Sequence, residues 1–213
     1  MPTTEIAIIP LVDGSNINDA NNGAAIAVKE CFDTVSEQAD GVQQYYLGMQ
    51  IEDPSMLVAM IDWDNAEKHQ AWMKHPEYGP VNERIGAIFA AAGKVLHADF
   101  FPSGHLDKTI AAPVTEIALF YFDGAPPEDY IVGFVKALSI LDKENDIISA
   151  AAGITHEELE YEGVKGKAAV VIFGWTSVDA HVAFRQTQTY KDNIGVLMRT
   201  AKKFEVKHVN FRK

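Results

Sequence analysis

Apolar positions along the chain follow two kinds of pattern, and the shorter pattern predicts strands. Strands are predicted where short stretches are continuously apolar, or alternate apolar with polar residues, and are rich in β-branched side chains. The predicted strands cover residues at about 4–12, 42–51, 56–63, 94–101, 115–122, 154–161, 167–175 and 204–212. The sequences EDPS and EGVKGK have the composition of turns and join the middle two strands of each half. We therefore expect two groups of four strands.

A longer period between the strands predicts helices. In the first half, the apolar residues that share one helical stripe are Ala24, Val28, Cys31 and Val35. This spacing predicts a helix that begins near residues 18–19 and ends at Gly41. The matching helix of the second half is predicted to begin at the sequence PPED and to end by Gly153. A further helix, or a broken pair of helices, is expected after residues 64–65 and after residues 176–177, whose types are favoured N-caps.

The two halves of the chain repeat one another. The sequence TEIAIIPL, which begins at Thr4, returns as TEIALFYF at Thr115, and VLHADFF at Val95 returns as VKHVNFR at Val206. Between these blocks, the order Trp, His, aromatic residue, Tyr occurs with the same spacing in WDNAEKHQAWMKHPEY and in WTSVDAHVAFRQTQTY. Three blocks in the same order with nearly constant offset indicate an internal duplication.

Each half has the element order βαββαβ, which is the ferredoxin-like unit. The predicted fold class is therefore α+β, with a first repeat at residues 1–101, a linker at 102–114 and a second repeat at 115–213. The linker is predicted from the proline, glycine and serine of PSGHLDKTIAAPV. A four-stranded sheet with helices on one face leaves its other face bare, and large exposed apolar faces are rare in soluble proteins. We therefore expect the two repeats to pack sheet against sheet as a pseudo-twofold barrel.

Composition and charge exclude several classes of function. A net charge of −12 and an isoelectric point of about 4.9 should repel nucleic acid and anionic membranes. The single cysteine, Cys31, excludes an intramolecular disulfide and a cysteine-based zinc site, and its helical setting favours a packing role. The start of the chain lacks the pattern of a leader peptide, and no apolar run reaches the length of a membrane span. A soluble, cytoplasmic protein is the resulting expectation.

The repeated skeleton resembles a known family. The strand that ends in Trp, the polar helix start, and the His and aromatic residue of WDNAEKHQAWMKHPEY are similar to the antibiotic biosynthesis monooxygenase (ABM) group of dimeric α/β barrel proteins. The resemblance implies two ferredoxin-like units, usually from a homodimer, with a pocket between sheet and helices in each unit. Here the fused repeats would supply both units, so a monomeric pseudo-dimer or a homodimer is expected. The family includes cofactor-free monooxygenases that act on polycyclic phenols and anthrones, haem-degrading enzymes, and many proteins of unknown activity.

Two tryptophans are candidates for contact with a ligand. Trp63 and Trp175 end the third strand of their repeats. Each is explained either as a core residue that fills the corner between strand and helix, or as an aromatic surface on which a ligand stacks. The resemblance implies the second role, because the matching tryptophan of the family often lines the pocket.

Four histidines are candidates for proton transfer. His69 and His181 share a helical face with the aromatic residue three positions later, Trp72 in the first repeat. His97 and His208 occupy equivalent places on the last strands. Each histidine is either a satisfied structural residue or a neutral imidazole that acts as a general base. The sequence offers no orienting carboxylate at an obvious spacing.

The first repeat carries additional polar residues, and this favours it as the working half. These residues are His75, Tyr78, Asn82 and Arg84, where the second repeat has Thr187, Tyr190, Ile194 and Val196. They are expected either to polarise a phenolate or carbonyl, or to form a solvated face.

Metal and cofactor binding are not predicted. His69 and His75 are six residues apart, which is not the spacing that places two metal ligands on one helical face. No glycine-rich nucleotide-binding motif is present. As the resemblance describes it, haem degradation uses an Asn on the first strand, and neither TEIAIIPL nor TEIALFYF carries one.

The leading hypothesis is a cofactor-independent monooxygenase that acts on a small aromatic, polyketide-like molecule. His69 or His97 would remove a proton, while Tyr78 or Arg84 would stabilise the resulting oxyanion. The residues expected to contact the substrate are Trp63, Trp72, His75, Trp175, His181 and His208. The alternatives are a non-catalytic protein that binds a small hydrophobic ligand, for example in a stress response, and a cyclase or isomerase on the same scaffold.

Overall fold

The computed structural model describes residues 2–141 and 144–212, and the chain divides into two compact units. One unit runs to Leu96, and the other comprises His97–Phe211. The elements that begin in the first unit are β1 (Thr3–Pro10), α1 (Gly23–Gln38), β2 (Val42–Gln50), β3 (Met56–Trp63), α2 (Ala66–Trp72), α3 (Tyr78–Gly86) and β4 (Lys94–Ala98). The order βαββαβ is therefore confirmed for the first half, with the second helix broken into α2 and α3.

The second half repeats this order with three additions. Its elements are α4 (His105–Ile110), β5 (Val114–Tyr121), α5 (Tyr130–Leu141), β6 (Ile147–Ile154), β7 (Leu159–Tyr161), β8 (Val164–Gly166), β9 (Ala168–Trp175), α6 (Val178–Phe184), α7 (Gln188–Met198) and β10 (Lys203–Arg212). Helix α4 precedes the repeat, and β7 and β8 form a small separate hairpin. The α+β class with two ferredoxin-like repeats is confirmed.

The main strands of the two units share their order and register. In the first unit the order is β4-β1-β3-β2, and in the second it is β10-β5-β9-β6. Trp63 pairs with Thr3 on one side and with Val42 on the other, and a bulge in β2 follows Val42. In the second unit, Trp175 ends β9 in the same way, next to a bulge in β6. The repeated tryptophan therefore occupies one defined position, at the end of the central strand beside a bulge.

Side-chain caps begin several of the helices, as their sequences predict. The Asn65 side chain accepts from the backbone N–H of Lys68 at the start of α2. The Ser177 hydroxyl plays the same part for α6. The start of α1 was predicted four residues too early, since its N-cap is Asn22 and turns fill the preceding polar segment.

One strand of the second repeat differs from the prediction. The helix expected to run to Gly153 ends earlier in the described residues, at Leu141, and strand β6 occupies 147–154. The strand predicted at 154–161 is instead a loop followed by β7. The alanines at positions 150–152 favour a helix by intrinsic propensity. They form the middle of β6 because it lies beside β9, where small side chains are fully buried.

Each unit has its own apolar core between its sheet and its helices. The stripe of α1 that was predicted from sequence is buried, from Ala24 to Val35. Cys31 belongs to this core, and burial raises the pKa of its thiol. In the second unit, Phe134 of α5 and Phe173 of β9 lie at the centre of the larger core. The packing role predicted for Cys31 thus agrees with its position.

The predicted linker at 102–114 includes helix α4, which packs on the second unit. A Cβ atom on Gly174 would lie 2.8 Å from the backbone oxygen of Thr109, so glycine permits this close approach. The domain limits of 101, 102–114 and 115, and the packing of the repeats into a barrel, stay predictions. In residues 2–141 and 144–212, helices that combine sufficient length with sufficient apolar character to span a membrane are absent.

Candidate functional site

A row of three side chains on the helix-covered face of the second sheet forms the base of the candidate site. Residues opposite one another in antiparallel strands project to the same face. Glu116 on β5 lies opposite His208 on β10 and opposite Phe173 on β9. Glu116 and His208 are both buried. Strand register alone therefore places a carboxylate next to an imidazole inside the second unit.

His181 completes a buried group of three polar side chains. It lies on α6, and its Nδ1 is 2.8 Å from Nε2 of His208 and 3.5 Å from Oε2 of Glu116. The short contact between the imidazoles requires one nitrogen to carry a proton and the other to accept it. We call Glu116, His181 and His208 the Glu-His-His cluster. A proton can pass between the two imidazoles because they are already in hydrogen-bond contact, with the Glu116 carboxylate close by.

Trp175 orients two members of the cluster. Its indole N–H donates to Oε2 of Glu116 at 2.7 Å. Its ring also stacks on the His181 imidazole, with centroids 4.8 Å apart and an angle of 19° between the planes. Trp175 is almost fully buried. Its burial agrees with the core role that the sequence offered, while stacking of a ligand on Trp175 stays a prediction.

An apolar cavity of about 150 Å³ lies between the sheet and the helices of the second unit, beside the cluster. Its lining comes from β5, α5, β9, α6, α7 and β10. The aromatic lining residues are Phe120, Phe134, Phe173, Trp175, Phe184, Tyr190 and Phe204. Glu116 and His181 contribute polar atoms to the wall. This is where the family resemblance places a pocket.

One cation lies at the rim of this cavity. Arg185, just after α6, lines the cavity and is exposed to solvent. Phe204 and Met198, which also line it, are substantially exposed, so the cavity reaches the surface on this side. The position that corresponds to Arg185 in the first repeat is Met73. The cationic rim is therefore a feature of the second repeat that the duplication does not share.

The first repeat contains a similar but more exposed arrangement. Trp63 donates from its indole N–H to Glu5 at 3.2 Å, and Nε2 of His69 lies 3.4 Å from the same carboxylate oxygen. The rings of Trp63 and His69 stack with centroids 4.8 Å apart. The side chains of His69 and Glu5 remain 12% and 15% exposed, compared with 9% and 7% for His181 and Glu116. The bond from tryptophan to the carboxylate is thus longer in the first repeat, 3.2 Å against 2.7 Å, the histidine contact is nearly equal, and the carboxylate is more exposed.

The aromatic residues after α2 pack together rather than around an open space. Trp72 is buried, stacks on His75 with centroids 5.1 Å apart and meets Tyr78 edge to face. The Nδ1 atom of His75 accepts from the backbone N–H of Glu77. These residues therefore form a helix junction in the first unit, and their predicted contact with a substrate stays a prediction.

Asn82 and Arg84 lie on the solvent side of α3. The Arg84 side chain is 47% exposed and approaches Glu30 on α1 at 3.9 Å. An exposed ion pair of this length contributes little to stability. This exposure agrees with the solvated face, which was one of the two interpretations from sequence. A role for Arg84 at an oxyanion stays a prediction.

His97 is held by a carboxylate on a neighbouring loop. Its Nδ1 lies 2.6 Å from Oε1 of Glu157, and its backbone N–H donates to the other carboxylate oxygen at 2.9 Å. Next to this pair, His156 contacts Asp99 at 3.1 Å. His97 and Asp99 therefore each have a partner on the loop after β6. Burial acts to raise the pKa of Glu157, but its bonds with His97 outweigh that effect and lower the pKa.

Replacing Glu157 with glutamine is expected to make the stability of the protein depend less on pH in the acidic range. In the folded state, the pKa of Glu157 lies below its ordinary value of 4.5. The ionised carboxylate therefore contributes fully to the free energy of unfolding above pH 4.5, and this contribution is lost as the pH falls through the lowered pKa. Thermal unfolding at pH 7, 5, 4 and 3.5 should show a deficit of the E157Q variant that shrinks on acidification. The exposed neighbour Glu158 provides the matched control E158Q. A deficit that is equal at every pH would contradict the prediction.

The residues that sequence reasoning missed are the glutamates. Glu5 and Glu116 stand at the same place in the two TEIA blocks and accept the bonds from the repeated tryptophans and histidines. The signal was present, because a polar residue repeated inside an apolar strand needs buried partners. It was not recognised because the carboxylate and its histidine are 64 or 65 residues apart in the chain.

Comparisons with known proteins agree with this architecture. The sequence pattern of the family described as antibiotic biosynthesis monooxygenase matches residues 20–84. Among solved structures, an anthrone oxidase-like protein shares 12% identity over 100% of this chain and 92% of its own, with a TM-score of 0.71. A candidate monooxygenase from Lactobacillus acidophilus NCFM shares 13% identity over 99% of this chain and 93% of its own, with a TM-score of 0.59. No curated protein matches the chain.

At these identities, the structural likeness establishes the fold, and it extends over both repeats. The family match falls in the first repeat, which contains the skeleton that suggested the resemblance. The sequence-based recognition is confirmed by these two findings together. Residues 20–84 therefore match the antibiotic biosynthesis monooxygenase family, and the chain as a whole has the fold of two fused ferredoxin-like repeats.

Proposed function

We propose that the protein is an oxygenase that needs no cofactor and acts on a small ionisable aromatic molecule bound in the cavity of the second repeat. The observation that carries the proposal is the contact between an apolar, aromatic-lined cavity and the buried Glu-His-His cluster. Apolar pockets with a few converging polar groups are the usual form of small-molecule sites. The proposal moves the base from His69 or His97, the sequence-based choices, to His181.

The size of the cavity limits the substrate. A cavity of about 150 Å³ is large enough to hold a single benzene-like ring. A second or third fused ring would have to extend towards the exposed side, where Phe204 and Met198 line the cavity. A flat molecule with its acidic position at the inner end and its other end near the surface fits this shape.

The cluster supplies a proton acceptor at the inner end. His181 lines the cavity, and its contacts with Glu116 and His208 hold the ring in place. A carboxylate beside an imidazole stabilises the imidazolium that forms when the base accepts a proton. The aromatic walls keep bulk water away from the resulting substrate anion, which strengthens its interaction with the cluster.

The substrate anion supplies the electrons for the oxygen reaction. Removal of a proton from a ring CH₂ group gives a carbanion, which reacts with dioxygen and regains a proton to form a C–OOH group. Loss of water from this hydroperoxide leaves a C=O group, so one oxygen atom enters the product and the other leaves as water. The enzyme's part is to bind, to remove and return protons, and to exclude solvent.

Dioxygen consumption tests the proposal directly. The protein, after treatment with a chelator, is incubated with a panel of hydroxylated one-ring to three-ring aromatic ketones, anthrones included, in an oxygen electrode. The expected result is uptake of one dioxygen per molecule converted, above the rate without protein. Binding of panel members without any oxygen uptake would contradict the proposal and indicate a ligand-binding protein. Conversion of a panel member without oxygen would indicate a cyclase or an isomerase.

Replacing Arg185 with methionine should selectively weaken anionic aromatic ligands. The cation at the rim can pair with an acidic group at the outer end of the ligand, and exposed pairs of this kind contribute about 0.5–1 kcal/mol, or about two- to fivefold in Kd. Fluorescence titration compares an anilinonaphthalene sulfonate with the uncharged phenylnaphthylamine. R185M reproduces the residue of the first repeat, Met73, and R185K is the control that keeps the charge. An equal loss for both probes would show that Arg185 contributes only packing.

A further inference from the structure

We propose that Glu116, His181 and His208 bind a divalent transition-metal ion in the second repeat. Two imidazoles and one carboxylate are the ligand set of many zinc and non-haem iron sites. The three donor atoms lie within 4.8 Å of one another, and all three residues are buried. The sequence-based expectation of no metal considered only helical spacing, whereas these ligands come from two strands and a helix.

The distances between the donor atoms are close to those of a metal site. Ligands about 2.0–2.1 Å from a tetrahedral ion lie about 3.3 Å from one another. The contact of 3.5 Å between His181 and Glu116 already has that length, and the contact of 2.8 Å between the two histidines must open by about 0.5 Å. Side-chain rotation is sufficient for a change of this size, and the strand register that sets Glu116 opposite His208 can stay as it is.

The surroundings of the cluster supply the other parts of a metal site. The indole N–H of Trp175 donates to Oε2 of Glu116, which is the kind of outer hydrogen bond that orients a metal-binding carboxylate. Glu116 and His181 border the cavity, so coordination positions left by the protein would face a space that admits water or a ligand. The site therefore resembles open metal sites with three protein ligands more than closed structural sites.

Metal binding would replace a proton. In the metal-free cluster, one proton lies between Nδ1 of His181 and Nε2 of His208. An ion that takes both nitrogens displaces this proton, which a neutral His181 can carry on its Nε2 instead; affinity must still fall as the pH is lowered, because a protonated imidazole cannot bind the ion. Net release of a proton to the buffer is expected only at a pH where the cluster carries an additional proton, and it can be measured separately from the binding itself.

Metal titration tests the site, and His208→Gln is the diagnostic variant. Chelator-treated protein is titrated with Co²⁺, followed by visible absorption, and with Zn²⁺ by calorimetry in two buffers of different ionisation heat. We expect H208Q and E116Q to lose one equivalent of ion, or to bind it at least 100-fold more weakly than wild type does. H105Q, which removes a histidine of the same unit outside the cluster, should bind like wild type.

The shift in Tm on addition of Zn²⁺ provides a second measure of metal binding, which still applies if a variant is less stable than wild type. Zn²⁺ should raise the Tm of wild type and H105Q but raise that of H208Q less. Absence of any bound ion in wild type, or equal binding by H208Q, E116Q and wild type, would overturn the proposal. The metal site does not depend on the proposed oxygenation. If both hold, bound Zn²⁺ occupies the base and stops dioxygen uptake; if only oxygenation fails, the ion still binds.

Discussion

Replacing His181 with glutamine is expected to lower kcat for dioxygen consumption by about 10²- to 10⁴-fold, the usual contribution of a general base. Glutamine can still make hydrogen bonds to Glu116 and His208, but it cannot accept a proton from the substrate. Because the aromatic walls of the cavity are unchanged, ligand affinity should change much less than turnover. Single-turnover oxygen uptake and a separate fluorescence titration of the same ligand measure the two quantities.

The equivalent change in the first repeat, His69→Gln, is the matched comparison. It removes an imidazole that stacks on Trp63 in the same way, beside a more exposed carboxylate. If the second repeat is the working half, H69Q should keep most of the activity that H181Q loses. The opposite ranking would restore the sequence-based assignment to His69. Equal turnover in both variants and wild type would show that neither histidine is the base.

The fold was predictable from sequence because the duplication repeats its main physical determinants. Each half carries a strand that ends in tryptophan, a polar N-cap and a histidine at the same spacing, so one correct interpretation of the first half also applies to the second. The exception was the second strand of the second repeat. There the alanines at 150–152 favour a helix locally, and only pairing with β9 makes them a strand. At that position, pairing with the neighbouring strand overrides the intrinsic helix propensity of the alanines.

The site was less predictable, because its parts are distant in sequence. The contact between Glu116 and His208 follows from strand register, and His181 reaches them from a helix. The repeated glutamate was visible in the TEIA blocks, but its partners were not. The sequence also favoured the first repeat for its extra polar residues, of which Arg84 lies on the solvent side. The asymmetry that matters for the proposal is the one at Arg185, whose counterpart Met73 is apolar.

Removing the indole of Trp175 is expected to have the largest effect on stability. Trp175→Ala should lower the free energy of unfolding by about 3–5 kcal/mol, since it removes a buried indole and enlarges the adjoining cavity. Trp175→Phe keeps most of the ring and removes the N–H that donates to Glu116, so the buried carboxylate loses one donor, at a cost of about 1–3 kcal/mol. Urea unfolding followed by circular dichroism measures both losses.

The matched change Trp63→Phe separates the hydrogen bond from the loss of ring size. Trp63 is buried at the equivalent strand end, but its bond to Glu5 is 3.2 Å long and the carboxylate is more accessible to water. Water can replace the lost donor there, so W63F should cost clearly less than W175F. Equal costs would mean that the bond from Trp175 to Glu116 contributes no more than the longer bond from Trp63 to Glu5. In the expected case, W175F should also reduce turnover, because the same bond orients the carboxylate that holds His181.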